Sequence, residues 1–177
     1  DIEGRDHYAS ANFSQGQGYF FGAGTKLDLD GDDEHQAARY GHGASAHFGV
    51  GLFIDHHGSD RYGSSGPFYN GGVAWDSSVS LMIDAGQDRD IYAFDRSTGL
   101  GQADYSGWGL FIDEGGADQY QAKSGFGDSS EKSVAGFFDL EGKDTYTLPL
   151  DSSMPADHRP GNGQFFIHVH GGVFVDR

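Results

Sequence analysis

The sequence predicts an all-β repeat protein, a β-solenoid (β-helix) built from units of about 27 residues. Three observations predict this fold. A motif D-x-x-G-x-D-x-Y recurs along the chain, a short apolar run precedes its copies, and no window sustains a helical period. The leading Asp residues lie 27, 27, 29, 29 and 26 positions apart. Such regular spacing is typical of units that stack on one another.

The motif defines two acidic columns and one aromatic column. The leading carboxylates are Asp1, Asp28, Asp55, Asp84, Asp113 and Asp139. The second carboxylates are Asp6, Asp33, Asp60, Asp90, Asp118 and Asp144. The copy that begins at Asp84 contains one extra residue and carries an additional Asp88. The aromatic position is Tyr in five copies and His35 in the other. Stacking would place the members of each column next to one another.

Each unit can be divided into elements in chain order. It starts with a short apolar run, such as Gly109-Leu-Phe-Ile112, which predicts a strand. The following Asp and Gly predict a turn, because Gly permits positive φ and Asp accepts hydrogen bonds from backbone N–H groups. A second strand begins near the aromatic position, and a Gly-rich stretch closes the unit. One unit cannot bury its apolar face alone, so neighbouring units must stack and share a core. Adjacent residues of a strand point to opposite faces, so only one residue of the pair Phe53 and Ile54 can contribute to that core.

The repeats do not cover the chain evenly. We expect residues 1–147 to hold five to six repeats, residues 148–163 to form a Pro-containing loop, and residues 164–177 to form the terminal strands of a further repeat. Gln164–Gly171 predicts a strand with His168 and His170 on one face. A β-propeller fragment is the alternative architecture, because several short strands per repeat could also form blades.

The composition excludes several classes of function. The chain has 27 acidic and 11 basic residues and a net charge of -16, so we expect no nucleic acid partner and no docking onto anionic lipid. The absence of Cys removes disulfides, thiolate metal ligands and a Cys nucleophile. No apolar run reaches the roughly 18 residues of a membrane helix, so no membrane insertion is expected.

The acidic columns predict a bound cation. Like carboxylates brought together by stacking repel one another unless something neutralises them, and Ca²⁺ is the cation that Asp carboxylates and turn carbonyls suit. The sequence therefore predicts calcium as a cofactor. The candidate ligands are Asp1, Asp6, Asp28, Asp30, Asp33, Asp55, Asp60, Asp84, Asp88, Asp90, Asp113, Asp118, Asp139 and Asp144. The alternative is that these residues only accept hydrogen bonds within their turns.

Two segments resemble calcium-binding repeat families. Gly116-Ala-Asp118-Gln-Tyr120 resembles half of the RTX nonapeptide repeat, whose fold is a calcium-bound β-roll. Asp28-Leu-Asp30-Gly31-Asp32-Asp33 resembles the acidic loop of FG-GAP and dockerin-type calcium sites. Both resemblances imply calcium bound at the acidic turns.

These observations favour a noncatalytic, calcium-stabilised repeat module of a secreted or cell-surface protein that acts as a structural, adhesive or assembly element. Its partners would be other repeats or subunits of a larger assembly, or a polysaccharide bound along the Tyr column. The alternative is a carbohydrate-active β-helix, a polysaccharide lyase or hydrolase. Because a catalytic pair should be singular, its site would lie where the repeat is interrupted. The candidates are Asp88, Asp151, Asp157, His158, His168 and His170.

The nine His residues suggest a separate hypothesis, a transition-metal site. The candidate pairs are His56 with His57, His42 with His47, and His168 with His170. His35 and His42 fall on repeat columns, so we interpret these two as repeat substitutions.

Overall fold

The computed structural model describes residues 1–130, 132–152 and 154–177, without the side chain of Asp95. Its strands form three sheets along a solenoid, which confirms the all-β solenoid prediction. The first sheet, the tyrosine sheet, contains β1 (His7–Asn12), β4 (Glu34–Arg39), β7 (Arg61–Ser64), β10 (Ile91–Gly99), β13 (Gln119–Gly125) and β15 (Thr145–Thr147).

The other two sheets complete each coil. The short sheet contains β2 (Gly18–Tyr19), β5 (Ser45–Ala46), β8 (Ala74–Trp75) and β11 (Ala103–Asp104). The third sheet, the apolar sheet, contains β3 (Ala23–Leu27), β6 (Val50–Asp55), β9 (Val79–Asp84), β12 (Trp108–Asp113), β14 (Val134–Asp139), β16 (Phe165–Ile167) and β17 (Val173–Asp176). In the described part of the chain, no helix is long and apolar enough to cross a membrane.

The strand register matches the sequence repeat. Tyr92 pairs with Tyr62 on one side and with Tyr120 on the other. Likewise Asp84 pairs with Asp55 and with Asp113. Every strand pair that joins consecutive repeats is parallel, so equivalent residues of successive units lie one β spacing apart, about 4.8 Å. This parallel stacking excludes the propeller alternative.

The core is a column of aromatic side chains between the tyrosine sheet and the apolar sheet. Along the apolar sheet every second side chain points inward, so Phe53 is buried and Ile54 lies on the outer face. The inward rings form face-to-face stacks, with centroids 5.1 Å apart for Phe111 and Phe137. Tyr62, Tyr92 and Tyr120 face them and are also buried. This packing explains why the apolar run of each unit needs one large residue at the same position.

In the regular copies of the motif, the turn between the apolar and tyrosine sheets requires glycine. Gly58 has φ +135°, and a Cβ there would fall on the carbonyl oxygen of Gly31 in the preceding coil. The backbones of successive coils therefore approach more closely at this turn than any side chain allows. This close approach is the physical reason for the Gly of the motif.

The C-terminal segment departs from the parallel column. Within residues 148–163, Ala156–His158 form one 3-10 turn. The strand predicted over Gln164–Gly171 ends at Ile167, because the chain turns through His168–Gly171 and returns as β17 in an antiparallel pair. Consequently His168 is buried while His170 is exposed, and the two do not share a strand face.

Candidate metal centre

The motif Asp residues converge along one corner of the solenoid, where the apolar sheet turns into the tyrosine sheet. We name this set the acidic spine. Its leading members are Asp28, Asp55, Asp84, Asp113, Asp139 and Asp176, and its second members are Asp33, Asp60, Asp90, Asp118 and Asp144. All of these except the half-buried Asp144 are buried. A row of carboxyl groups taken out of water must be neutralised or hydrogen-bonded.

The second members form a ladder of hydrogen bonds from coil to coil. The backbone N–H of Asp60 donates to Asp90 Oδ1 over 2.7 Å, and the N–H of Asp90 donates to Asp118 Oδ1 over 2.7 Å. The ladder ends at Asn162, whose Oδ1 accepts the N–H of Asp144 over 2.6 Å. An amide oxygen therefore serves the same structural role as a carboxylate oxygen at this position.

The leading members form a second ladder with the Tyr column. Tyr92 Oη lies 2.7 Å from Oδ2 of both Asp84 and Asp113, and Tyr62 Oη lies 2.9 Å from Oδ2 of both Asp55 and Asp84. A phenol has one proton and can donate to only one of its two neighbours. The second short contact is favourable only when the other carboxyl group carries the proton. The ladder therefore favours protonated carboxyl groups.

The electrostatics of the leading members agree with this inference. Burial, reinforced by the charge of Asp55, raises the pKa of Asp84 to about 6. Burial and the neighbouring Asp84 and Asp118 hold the pKa of Asp113 well above its ordinary value. Burial and the charges of the nearby spine also keep the pKa of Tyr92 well above 10, so this phenol stays neutral.

The pKa values of the second members are shifted in the same direction. Burial next to Asp55 raises the pKa of Asp60 to about 9, and burial next to Asp84 raises that of Asp90 to about 10. Their N–H donors work in the opposite direction but do not overcome these two effects. At neutral pH the spine therefore holds protons unless a cation replaces them.

Several carboxylate oxygens of the spine have room for a ligand. Asp60, Asp90, Asp118 and Asp144 each use Oδ1 in the ladder, while their buried Oδ2 atoms lack a hydrogen-bond partner. Oδ1 of Asp139 is also buried and unpartnered. Unpartnered buried oxygens are unfavourable, so these atoms point to protons, water or a metal ion.

Among the described residues, three sets of side chains, two of which combine spine Asp residues with His35, bring their ligand atoms within 4.8 Å of one another. These sets are Asp28, Asp33 and His35; His35, Asp55 and Asp60; and Asp139, Asp144 and Asp176. The last set offers oxygen ligands only, which suits calcium. The two sets that share His35 add a ring nitrogen.

One end of the spine carries its own positive charge. Lys26 replaces the inward aromatic residue of its strand, and its Nζ lies 2.8 Å from Asp28 Oδ2. Burial opposes ionisation of Asp28, but this Lys26 contact outweighs it and lowers the pKa of the carboxyl group below its ordinary value. Asp28 is therefore neutralised by the chain itself.

Three predicted ligands are exposed and lie away from the spine. Asp30 and Asp88 are exposed, and the Asp88 side chain accepts the N–H of Gly58 over 3.3 Å. Asp1 is exposed as well and accepts the hydroxyl of Tyr8. Conversely, sequence reasoning omitted Asp176 and His35 from the ligand set. The signal for Asp176 was present, because the run Gly172-Val-Phe-Val precedes it as in a further motif copy.

The interrupted part of the repeat brings some of the candidate catalytic residues together. The rings of His158 and His168 lie 5.7 Å apart, and His168 Nδ1 lies 3.5 Å from Asp128 Oδ1. His168 Nε2 contacts the carbonyl oxygen of Phe126, and the nitrogens of His158 contact Asp157 Oδ1 and the carbonyl of Ile167. The four ring nitrogens of His158 and His168 thus all lie near oxygen atoms, and these contacts fix the orientation of both rings.

The Tyr column cannot bind sugar rings, because Tyr62, Tyr92 and Tyr120 are fully buried. Other aromatic side chains lie at the corner between the short sheet and the apolar sheet. We name them the aromatic corner: Tyr19, Phe20, Phe21, Phe48, Trp75 and Tyr105. Most of them are exposed.

Comparisons with known proteins identify no relative. No protein-family model matches the chain, and no curated protein or solved structure is significantly similar to it. The fold itself defines the class, a three-sided parallel β-solenoid.

Proposed function

We propose that this chain is a noncatalytic structural module of a secreted or cell-surface protein that assembles through the outer face of its apolar sheet, with an acidic spine stabilised by calcium. The observation that carries the proposal is the chemistry of that face. Three outward rows run along the solenoid and contain only apolar side chains on β6, β9 and β12. They are Val50, Val79 and Trp108; Leu52, Leu81 and Leu110; and Ile54, Ile83 and Ile112.

The face is large enough for a specific interface. Val134 and Phe138 continue the outer rows on β14, and Phe165 and Ile167 extend the face on β16. Seven strands at about 4.8 Å, each with two or three outward residues, give an area of roughly 500 Å². Two such faces bury about 1,000 Å², near the lower limit for a specific protein interface. Rows of similar side chains also leave parallel grooves that fit the rows of a second sheet.

The experiment is a measurement of oligomeric state. We expect the chain to self-associate with increasing concentration in sedimentation equilibrium. The variants Leu81→Lys and Leu110→Lys, at the centre of the face, should increase the dissociation constant of self-association at least tenfold. Gln121→Lys, on the outward side of the tyrosine sheet, is the matched control and should change little. A wild-type chain that stays monomeric in high salt, where repulsion between chains of charge -16 is screened, would contradict self-assembly.

Calcium binding is supported by the oxygen-only set of Asp139, Asp144 and Asp176. At a Kd of about 10⁻⁴ to 10⁻³ M, millimolar calcium stabilises a fold by about 0.4 to 1.4 kcal/mol per site. We expect EDTA to lower the melting temperature and calcium to restore it, whereas magnesium should restore less because it releases its water reluctantly.

A matched variant locates this calcium effect. Asp144→Asn keeps an oxygen that accepts the N–H of Asp118, as Asn162 does naturally for the next rung, but it removes the charge. The variant should fold and respond less to calcium. If EDTA leaves the melting curve unchanged, calcium binding is contradicted. The proposed assembly through the apolar sheet would not be affected by that result.

Polysaccharide binding is a second candidate function, and the aromatic corner supports it. Exposed rings that contact one another, such as Phe21 and Phe48 with centroids 5.0 Å apart, can stack on sugar rings. The net charge of -16 favours a neutral glycan. Affinity electrophoresis in gels containing neutral glycans should show retardation that Phe21→Ala and Tyr105→Ala abolish. Migration unaffected by any glycan would exclude this candidate.

A further inference from the structure

His35 differs from every other member of its column. Its ring stacks between Tyr8, at 4.8 Å and 4°, and Tyr62, at 5.2 Å and 10°. The side chain is 0% exposed. Stacking from both sides fixes the plane of the ring, so its edge faces the acidic spine where the other coils place a Tyr hydroxyl.

Both ring nitrogens of His35 are buried without a hydrogen-bond partner. Nε2 lies 3.3 Å from Asp55 Oδ2 and 3.9 Å from Asp28 Oδ2, yet it makes no hydrogen bond to either. A buried imidazole that satisfies neither nitrogen is unfavourable. Its position therefore points to a ligand between Nε2 and the carboxylates.

Asp60 completes the arrangement. Its Oδ1 accepts the N–H of Asp33, while its buried Oδ2 has no partner. Ligand atoms of His35, Asp55 and Asp60 lie within 4.8 Å of one another. Two ligand atoms that each lie about 2.1 Å from a tetrahedral zinc ion are separated by roughly 3.4 Å. Small side-chain shifts would therefore bring these three side chains to the distances that zinc coordination requires. Two carboxylates also neutralise a divalent charge.

The neighbouring set of Asp28, Asp33 and His35 is less suitable. The Lys26 ammonium already contacts Asp28 and lies 3.3 Å from the centre of the Tyr8 ring. A metal ion bound there would meet this positive charge. The set on the other side of His35 has no such cation among its described contacts.

We infer that His35 Nε2, Asp55 and Asp60 bind a divalent transition metal, with zinc the expected ion. The coils without His offer oxygen ligands only and suit hard cations, whereas one imidazole nitrogen shifts the preference towards zinc and its neighbours in the first transition row. This site does not rest on the calcium proposal, because it uses a different ligand type and a different coil.

The experiment is a zinc titration with matched variants. Because the site is buried, the protein is refolded with and without ZnCl₂, dialysed, and analysed for bound zinc, and its affinity is measured by competition with a chromophoric chelator. His35→Tyr restores the residue found in the other coils and should fold. Asp60→Asn keeps the oxygen that accepts the N–H of Asp33. Asp118→Asn, the same change in a coil without His, is the control.

We expect one tightly bound zinc per chain in the wild type and in Asp118→Asn. His35→Tyr and Asp60→Asn should lose that ion or bind it at least 100-fold more weakly, since even outer-shell changes weaken a metal site 10- to 100-fold. Unchanged zinc content in His35→Tyr, or no retained zinc in the wild type, would overturn the inference and leave His35 as an ion-pair partner of Asp55. Calcium should still raise the melting temperature of His35→Tyr. The zinc proposal and the calcium proposal can therefore be contradicted independently.

Discussion

At the scale of single residues, the acidic spine is held together by hydrogen bonds between groups of successive coils. The hydroxyl of Tyr92 contacts two carboxyl groups of successive coils, and the N–H of Asp90 contacts the carboxylate of the next coil. These bonds are perpendicular to the strands and parallel to the solenoid axis. They therefore stabilise stacking itself.

Removal of one hydroxyl should weaken the stack measurably. Tyr92→Phe keeps the ring between Tyr62 and Tyr120 but leaves Asp84 and Asp113 without a shared partner. We expect a loss of about 1–3 kcal/mol in the free energy of unfolding, measured by denaturant titration. Tyr105→Phe, at an exposed ring, is the control and should cost little. Equal stability of Tyr92→Phe and wild type would show that the hydroxyl bridge contributes nothing.

The sequence predicted the columns of the spine but not the chemistry inside them. Repetition placed Asp60 and Asp90 in one column, since equivalent residues of a solenoid must align. It could not show that Asp60 uses one oxygen for a backbone N–H and keeps the other unpartnered. Likewise His35 looked like a simple substitution, because the stacking that buries its ring is a tertiary property.

At the scale of elements, the turn of the motif sets how closely the coils approach. Gly58→Ala should destabilise the fold by about 2 kcal/mol or more, because its Cβ would overlap the carbonyl of Gly31 and its φ is unfavourable for other residues. The control is Gly163→Ala. Gly163 has φ +71°, but no atom lies within 4 Å of the Cβ that Ala would add. This substitution should therefore lower the free energy of unfolding by only about 1 kcal/mol. Thermal unfolding followed by circular dichroism measures both. A smaller loss for Gly58→Ala than for Gly163→Ala would contradict the close-approach argument.

The strands themselves were predictable where the repeat is regular. The apolar run in Val79–Asp84 identifies the strand but not its inward face, because Val79, Leu81 and Ile83 point outward while Met82 is buried. Prediction failed at Gln164–Gly171, where an apolar run suggested one strand and the chain instead turns at His168. The antiparallel return depends on pairing with Val173–Asp176, which local sequence does not encode.

At the scale of the whole molecule, the buried carboxyl groups link stability to pH. Burial among like charges raises the pKa of Asp60 to about 9, of Asp90 to about 10 and of Asp139 to about 8. An unfolded Asp titrates near 3.9, so above that pH the unfolded chain has released protons that the folded chain still binds. We therefore expect the free energy of unfolding to be greatest at acid pH and to fall as the pH rises towards about 10.

The measurement is the free energy of unfolding at several pH values in EDTA. Each such carboxyl group contributes a slope of up to about 1.4 kcal/mol per pH unit. Added calcium or zinc should make the free energy of unfolding fall less steeply with pH, because a bound cation replaces the protons. Stability that rises between pH 5 and pH 9 in EDTA would show that the spine is ionised in the folded chain.

The row of alternating hydroxyl and carboxyl groups from Asp55 to Tyr120 has a direction. Each phenol can point its hydrogen towards only one end, and the protonated acids between them must point the same way. Reversal of one member requires reversal of all, as in a line of dipoles. A positive ion held beside Asp55 would thus set the orientation of groups at least two coils away, about 10 Å along the axis.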